Sequence, residues 1–250
     1  MKQFGLIGFP LSHSFSKGYF AEKFINEGIS DCNYEIFPLE NINLFSDLIA
    51  NNQTIVGLNV TIPYKKEIIP FLHKIDEGAA AIGAVNTIRV ERVNNQIQLK
   101  GYNTDVYGFE ISLLKLLKPT HTKALILGTG GAALAVQYIL NKLSITWKSV
   151  SRTSKENVFS YEDITDAVLA EYTLIINTSP LGMYPNSETC PALPYHALTR
   201  NHYLYDLVYN PKETLFLKKG KEKGCLTKNG LEMLHLQAEK AWEIWNNKLC

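Results

Sequence analysis

Two ionisable side chains stand just beyond the ends of strands, and their types suit proton transfer. In Asn59-Val60-Thr61-Ile62-Pro63-Tyr64-Lys65 an apolar strand ends, and Pro63 reads as part of the first turn of a helix, a place that proline favours. Lys65 then faces the positive end of the helix dipole, which disfavours its ammonium form and readies it to trade a proton. The alternative is one of two adjacent surface lysines followed by Glu67. In Gly101-Tyr102-Asn103-Thr104-Asp105 a second strand passes into a helix. Asp105 there is either an ordinary first-turn acid or, kept ionised by the same dipole, an orienting partner for Lys65. Ser12 and Ser14 are two residues apart, so an extended loop turns both hydroxyls to one side, where they can grip a carboxylate; otherwise Ser14 caps the next helix. Asn86 and Thr87 form a further polar pair at the start of a strand.

A second kind of chemistry is written in Leu125-Ile126-Leu127-Gly128-Thr129-Gly130-Gly131-Ala132-Ala133. A buried strand, a glycine turn and a helix of small residues make the cradle in which unpaired backbone N–H groups take a pyrophosphate. Gly128 takes the turn, Gly130 lets the backbone approach the phosphates, and Ala133 lets the helix lie close to the strand. The helix over 132–143 leads to a second strand, Ile145-Thr146-Trp147-Lys148-Ser149-Val150, whose end should lie beside the adenine ribose. A site for NAD needs an acid there, whereas a 2′-phosphate needs a cation. No Asp or Glu occurs from Leu134 to Lys155, and the strand ends in Ser151-Arg152-Thr153-Ser154-Lys155, so the expected cofactor is NADP(H). The plainer alternative makes Arg152 and Lys155 solvated loop charges.

The elements that must position these residues alternate in kind. Short apolar strands near residues 4–8, 34–37 and 55–60 are separated by helical patterns over 15–28, with Tyr19, Phe20, Phe24 and Ile25 on one face, and around Leu44, Leu48 and Ile49. Such alternation predicts a mostly parallel sheet covered by helices. A helix after Pro63 carrying Ile68, Ile69 and Leu72, strands over 84–93 and 97–102, and a helix over 104–117 complete the first half. Pro119-Thr120-His121-Thr122 reads as a boundary. Beyond the glycines, Thr173-Leu174-Ile175-Ile176 opens into Asn177-Thr178-Ser179, and Tyr203-Leu204-Tyr205-Asp206-Leu207-Val208 opens into Tyr209-Asn210-Pro211. Ligands collect outside the carboxyl ends of parallel strands, so both loops should face the cofactor. After Gly230, Leu231, Leu234, Ala238, Ala241, Trp242 and Trp245 make one helical stripe with Gln237 beside it, a position that suits either an exposed amide or a ligand contact.

Composition bounds the function. The 250 residues carry a net charge of +1, with no basic excess to suggest nucleic acid and no apolar run long enough to span a membrane. No secretory signal is visible before Pro10, and the cytoplasm is the expected compartment. Four cysteines stand far apart without a C-x-x-C pair, which argues against zinc and against a disulfide framework; no metal is expected.

Taken together and in order, these motifs closely resemble the shikimate dehydrogenase family over essentially the whole chain: Ser12-His13-Ser14, Asn59 to Lys65, Ala84 to Thr87, Gly101 to Asp105, Gly128 to Ala133, Ser151-Arg152-Thr153, Asn177-Thr178-Ser179, Asp206 to Pro211 and Gly230 to Gln237. The resemblance implies an α/β chain of two domains with the active site in a cleft between them. An N-terminal α/β substrate domain would comprise residues 1–103 with 231–250, and a Rossmann-type NADP-binding domain residues 104–230. It implies reversible NADPH-dependent reduction of 3-dehydroshikimate to shikimate, by a monomer or homodimer. Lys65 and Asp105 would be the catalytic pair, and Ser12, Ser14, Asn59, Thr61, Asn86, Tyr209 and Gln237 would hold the substrate. Gly128, Thr129, Gly130, Gly131, Ala132, Ser151, Arg152, Thr153, Asn177, Thr178, Ser179 and Leu207 would hold the cofactor, with Gly230 near the nicotinamide. The chain departs from the family twice. Its first loop reads Ser12-His13-Ser14-Phe15-Ser16-Lys17 in place of Ser-His-Ser-Lys-Ser-Pro, and Ser151-Arg152-Thr153 replaces Asn-Arg-Thr. Two alternatives stay open: a quinate/shikimate dehydrogenase preferring NAD, against which Arg152 counts, and a non-catalytic nucleotide-sensing protein, against which Lys65 and Asp105 together count.

Overall fold

The computed structural model describes every residue except 12, 13, 95, 154, 155 and 247–250. Its contacts divide the chain into two α/β units, Met1–Thr104 with Ala238–Cys250, and Asp105–Gln237. Strands and helices of the first stretch are β1 (Lys2–Gly8), α1 (Phe15–Asn26), β2 (Cys32–Pro38), α2 (Phe45–Asn51), β3 (Ile55–Val60), β4 (Lys74–Ile75), α3 (Glu77–Ile82), β5 (Thr87–Val93) and β6 (Gln96–Tyr102). Next come α4 (Thr104–Leu114), β7 (Lys123–Leu127), α5 (Gly131–Lys142), β8 (Thr146–Ser151), β9 (Val158–Ser160), α6 (Asp166–Glu171), β10 (Leu174–Asn177), β11 (Tyr203–Asp206), α7 (Leu215–Glu222), β12 (Leu226–Lys228) and α8 (Leu231–Asn246).

The first unit is built on one sheet in the order β2-β1-β3-β5-β6-β4. It is parallel where strand and helix alternate, β1 running parallel to β2 and β3, and β4 runs parallel to β6, but β3, β5 and β6 alternate in direction. The reason is local, because only residues 94 and 95 separate β5 from β6, which forces a hairpin; Asn94, at φ 51°, takes the left-handed conformation such turns need. A second difference concerns Lys65. No α-helix forms after Pro63; the segment is a run of turns ending in a 3-10 turn at Ile69–Phe71. Tyr64 and Ile68, four apart, are both buried and anchor the turns in the core. Pro70 has no N–H to offer the carbonyl of Lys66, so a helix could not continue through it. The dipole argument for Lys65 therefore does not apply.

On the other face of this sheet, Phe4, Phe20, Phe24 and Tyr34 meet Trp242 and Trp245 of α8 in an aromatic cluster. The altered start of α1 fits here: Phe15 stacks on Tyr19 with ring centroids 5.4 Å apart, Ser14 caps the helix by accepting the N–H of Lys17 (3.4 Å), and Lys17 pairs with Glu35 of β2 (2.8 Å).

The second unit is a six-stranded, wholly parallel sheet in the order β12-β11-β10-β7-β8-β9. Its central strands read as continuous apolar runs because both faces are covered. Along β7, Ala124 and Ile126 pack with Val136 and Ile139 of α5, while Leu125 and Leu127 pack with Leu169 of α6 and Phe216 of α7. Phe109 and Leu113 of α4 belong to the first of these two clusters, so Pro119 to Thr122 lies inside the second unit and is not the boundary. By these contacts the chain passes between units at 104/105 and again at 237/238, within α8.

Candidate active site

In the first unit Asn59, Asn86 and the Lys65 turn sit on one hydrogen-bonded frame. Lys65 is half-buried where Lys66 is exposed, which separates it from an ordinary surface lysine. Its carbonyl accepts the N–H of Val85 (2.7 Å), and the next residue, Asn86, accepts the N–H of Val60 at its own carbonyl (2.8 Å). Those two bonds tie the Lys65 turn and the end of β3 to the start of β5. Asn59 is buried: its Oδ1 accepts the phenol of Tyr34 (2.8 Å), and its Nδ2 donates to the Asn86 carbonyl (3.3 Å) and to Thr87 Oγ1 (3.2 Å). Asn86 is buried as well, its Oδ1 accepting the backbone N–H of Thr104 (2.7 Å) and its Nδ2 donating to Thr104 Oγ1 (3.0 Å). Both amides are thus oriented from within the protein, and burial without an ionic partner pushes the Tyr34 phenol up, keeping it a donor. Thr61 extends the frame, its N–H bonded to the Ile7 carbonyl (2.9 Å). Ser14 is the cap of α1, and Ser12 lies outside the described residues.

In the second unit, Asp105 stands in the first turn of α4. A Cβ on Gly108 would come within 2.5 Å of the Met233 carbonyl and 3.1 Å of the Gln237 nitrogen, so α4 and α8 touch backbone to backbone one turn beyond Asp105. Gly230 makes a similar close approach; a Cβ there would lie 2.1 Å from the carbonyl oxygen of Leu207. This brings the start of α8 against the end of β11, next to the exposed Tyr209.

The carboxyl ends of β7, β8 and β10 enclose a cavity of about 430 Å³ lined by Gly128, Thr129, Gly130, Val150, Ser151, Arg152, Tyr161, Thr178, Ser179, Pro180 and Leu181. Strand order reverses between β7 and β10, the place where open parallel sheets bind ligands. Gly128 has φ 123°, and a Cβ on it would meet Thr178 Oγ1 at 2.7 Å, so only glycine serves at the turn. Gly130 and Gly131 face open space at the start of α5, while Ala133 is buried against the sheet. This is the room a pyrophosphate needs at a helix N-terminus. Arg152 is exposed at the cavity, and no carboxylate pairs with it among the described residues. A dinucleotide with a 2′-phosphate fits this donor set. Ala132 and Thr153 flank the lining, and Lys155 lies outside the described residues.

Comparison with known proteins extends this from one cavity to the whole chain. Residues 6–88 match the family profile for the shikimate dehydrogenase substrate binding domain. The chain is 38% identical over 268 residues to the NADP(+) shikimate dehydrogenase of Methanococcus aeolicus, covering 98% of this chain and 91% of that one. The chain belongs to the shikimate dehydrogenase family. The NADP(+) enzyme of Carboxydothermus hydrogenoformans is 39% identical, covering 96% of this chain and 90% of that one. The shikimate 5-dehydrogenase of Thermus thermophilus, solved with NADP(H) and shikimate, superposes with a TM-score of 0.84 at 29% identity over 100% of this chain and 95% of that one. Among the described residues there is no His, Cys, Asp and Glu grouping that could hold a metal, and no helix is long and apolar enough to cross a membrane.

One buried carboxylate behind the cavity, named in the sequence only as part of the Asp206 to Pro211 match, has a role there. Asp206 ends β11 fully buried, accepting from Asn177 Nδ2 (2.9 Å), the Val208 N–H (3.0 Å) and Thr214 Oγ1 (2.6 Å). Asn177 in turn accepts both the N–H (3.1 Å) and the hydroxyl (2.6 Å) of Ser179, so Asp206 holds the cavity wall from behind. Burial pushes its carboxyl up to about 6, against these donors, which favour the charged form. Folded Asp206 therefore binds a proton more readily than unfolded Asp206. Its contribution to stability is complete below about pH 4 and is lost as the pH rises through 6, about 3 kcal/mol in all. Asp206→Asn cannot ionise, so in urea unfolding it should gain on the wild type by about that amount between pH 4 and pH 8. A difference that stays flat with pH would contradict this account.

Proposed function

We infer that this protein reduces 3-dehydroshikimate to shikimate, reversibly and with NADP(H), a step towards the aromatic amino acids. The observation that carries the reading is the nucleotide cavity with Arg152 and no competing acid, in a chain that matches NADP(+) shikimate dehydrogenases over 98% of its length. Bound NADP(H) supplies or accepts the hydride at C3 of the ring. Lys65 gives the proton to the C3 oxygen or takes it, and Asp105 orients the ammonium of Lys65. This pairing is supported by the frame around Asn86: it carries the Lys65 turn through Val85 and also fixes Thr104, the residue immediately before Asp105. Ser12 and Ser14 take the substrate carboxylate, and Asn59, Thr61, Asn86, Tyr209 and Gln237 orient the ring, with Gly230 leaving room for the nicotinamide. Holding the reacting atoms in place supplies most of what the protein adds besides the proton. The three described cysteines are free, in keeping with the cytoplasm, and the protein would act there as a monomer or homodimer.

The deciding assay follows reduction of NADP and of NAD, each with shikimate and with quinate. The expected result is fastest turnover with NADP and shikimate; preference for NAD and quinate, or no turnover at all, would replace the reading. Within it, Arg152→Ala should weaken NADP(H) binding about ten- to a hundredfold and leave NAD(H) almost unchanged, since a charge-assisted bond to phosphate contributes roughly 1.5–3 kcal/mol. Equal loss for both cofactors would show that Arg152 does not read the 2′-phosphate.

A further inference from the structure

We propose that Tyr161 is the wall on which the adenine of the bound nucleotide stacks, a cofactor-binding role that rests on the NADP(H) reading above. Strands β8 and β9 run parallel with Ser149 beside Val158, Val150 beside Phe159 and Ser151 beside Ser160. The residues immediately after these two strands, Arg152 and Tyr161, are therefore neighbours at the carboxyl edge of the sheet, and both line the nucleotide cavity. The two strands are joined by only residues 152–157, where parallel neighbours ordinarily need a dozen or more and a covering helix. This chain thus brings the end of a third strand to the cavity with no helix among the described residues of the connection.

The chemistry of the ligand decides what Tyr161 meets. Its pyrophosphate belongs at Gly128 to Gly130, and its 2′-phosphate belongs at Arg152. The base is carried by that same ribose, so it must lie beyond the pyrophosphate on the β8 and β9 side. Tyr161 is the one aromatic side chain among the described residues lining the cavity. Its ring is half-buried and joins the core cluster that holds Leu169 and Phe216, which fixes it from behind. Its backbone is held too: the N–H and hydroxyl of Ser160 both donate to Asp163 Oδ2 (2.6 and 2.8 Å), closing the turn that presents Tyr161. A ring already held in this way loses little freedom on binding, which makes it a suitable partner for the flat face of a purine.

The test compares Tyr161→Ala, Tyr161→Phe and Arg152→Ala, each checked for folding by its melting temperature, using direct titration with NADPH, NADH and adenosine 2′,5′-bisphosphate. Stacking predicts that Tyr161→Ala weakens all three about 5- to 150-fold and raises KM for NADP by the same factor, with kcat at saturation unchanged. Tyr161→Phe should bind as the wild type does, because the phenyl face remains. Arg152→Ala should instead weaken only the two ligands that carry a 2′-phosphate. Unchanged binding in a folded Tyr161→Ala overturns the proposal. So does equal loss in Tyr161→Phe, which would assign the effect to the hydroxyl. Wild-type protein that binds none of the three ligands would overturn the cofactor reading and this proposal with it, an outcome distinct from either.

Discussion

Replacing Lys65 with alanine is expected to remove a factor of about 10²–10⁴ from turnover at saturating NADP and shikimate, or about 3–5 kcal/mol of barrier. That is the usual contribution of one positioned general acid or base. Affinity for the substrate should change far less, because the proton moves only on the way to the transition state. Asp105→Asn keeps the shape and most of the hydrogen bonding but removes the charge proposed to orient the ammonium, so its turnover should also fall steeply. Since the two residues would act as a unit, the double variant should be hardly worse than the poorer single one. Ordinary surface charges would behave otherwise, each costing almost nothing. Turnover of the three folded variants decides the matter, and near-normal turnover in Lys65→Ala would remove the proton-transfer assignment while leaving the family assignment in place.

The second large effect is on stability. Trp245 lies fully against Gly57 of β3, where a Cβ would come within 2.4 Å of the indole Cδ1, and its Nε1 donates to the carbonyl of Ile88 (3.0 Å). Trp245→Ala opens a cavity in the aromatic cluster and removes that hydrogen bond, which should cost about 3–5 kcal/mol in urea unfolding. Gly57→Ala should cost about 1–3 kcal/mol by overpacking. The two are in contact, so they should not add: in the Trp245→Ala background the extra methyl at residue 57 should cost little or even stabilise. Strict additivity would mean that the indole does not lie on Gly57 in solution.

Local signals made the nucleotide turn legible from the sequence. An apolar run, a glycine cluster and small helix-forming residues from 124 to 133 are contiguous, and each constrains the backbone where it stands. The aromatic face of α1 was legible for the same reason, since Phe20 and Phe24 are one turn apart. Its partners, Trp242 and Trp245, were recognised as one stripe of α8, but which sheet they cover depends on pairings far apart in sequence. Lys65 shows the limit most clearly. Pro63 signals a helix start locally, yet burial of Tyr64 and Ile68 and the missing N–H of Pro70 hold the segment in turns. Asp206 fell within the Asp206 to Pro211 match without a role of its own, and Tyr161 carried no local signal at all. Asp206 matters because β11 lies beside β10, and Tyr161 because β9 lies beside β8 in one particular register.

The placement of α8 also orders events during synthesis. Residues 238–246 complete the aromatic cluster of the unit whose other residues are 1–104, so the part of the chain made first cannot close that cluster until more than a hundred intervening residues have left the ribosome, although its other core lies within residues 7–99. The unit formed by residues 105–237 has no such dependence, since its core side chains all lie within one continuous stretch. Domains usually mature from the N-terminus onwards as they emerge. Here the nascent chain must carry an unfinished first unit, with Phe4, Phe20 and Phe24 lacking their tryptophan cover, while the nucleotide-binding unit is being made. Its exposure to chaperones and proteases is therefore set by the elongation time of the second unit.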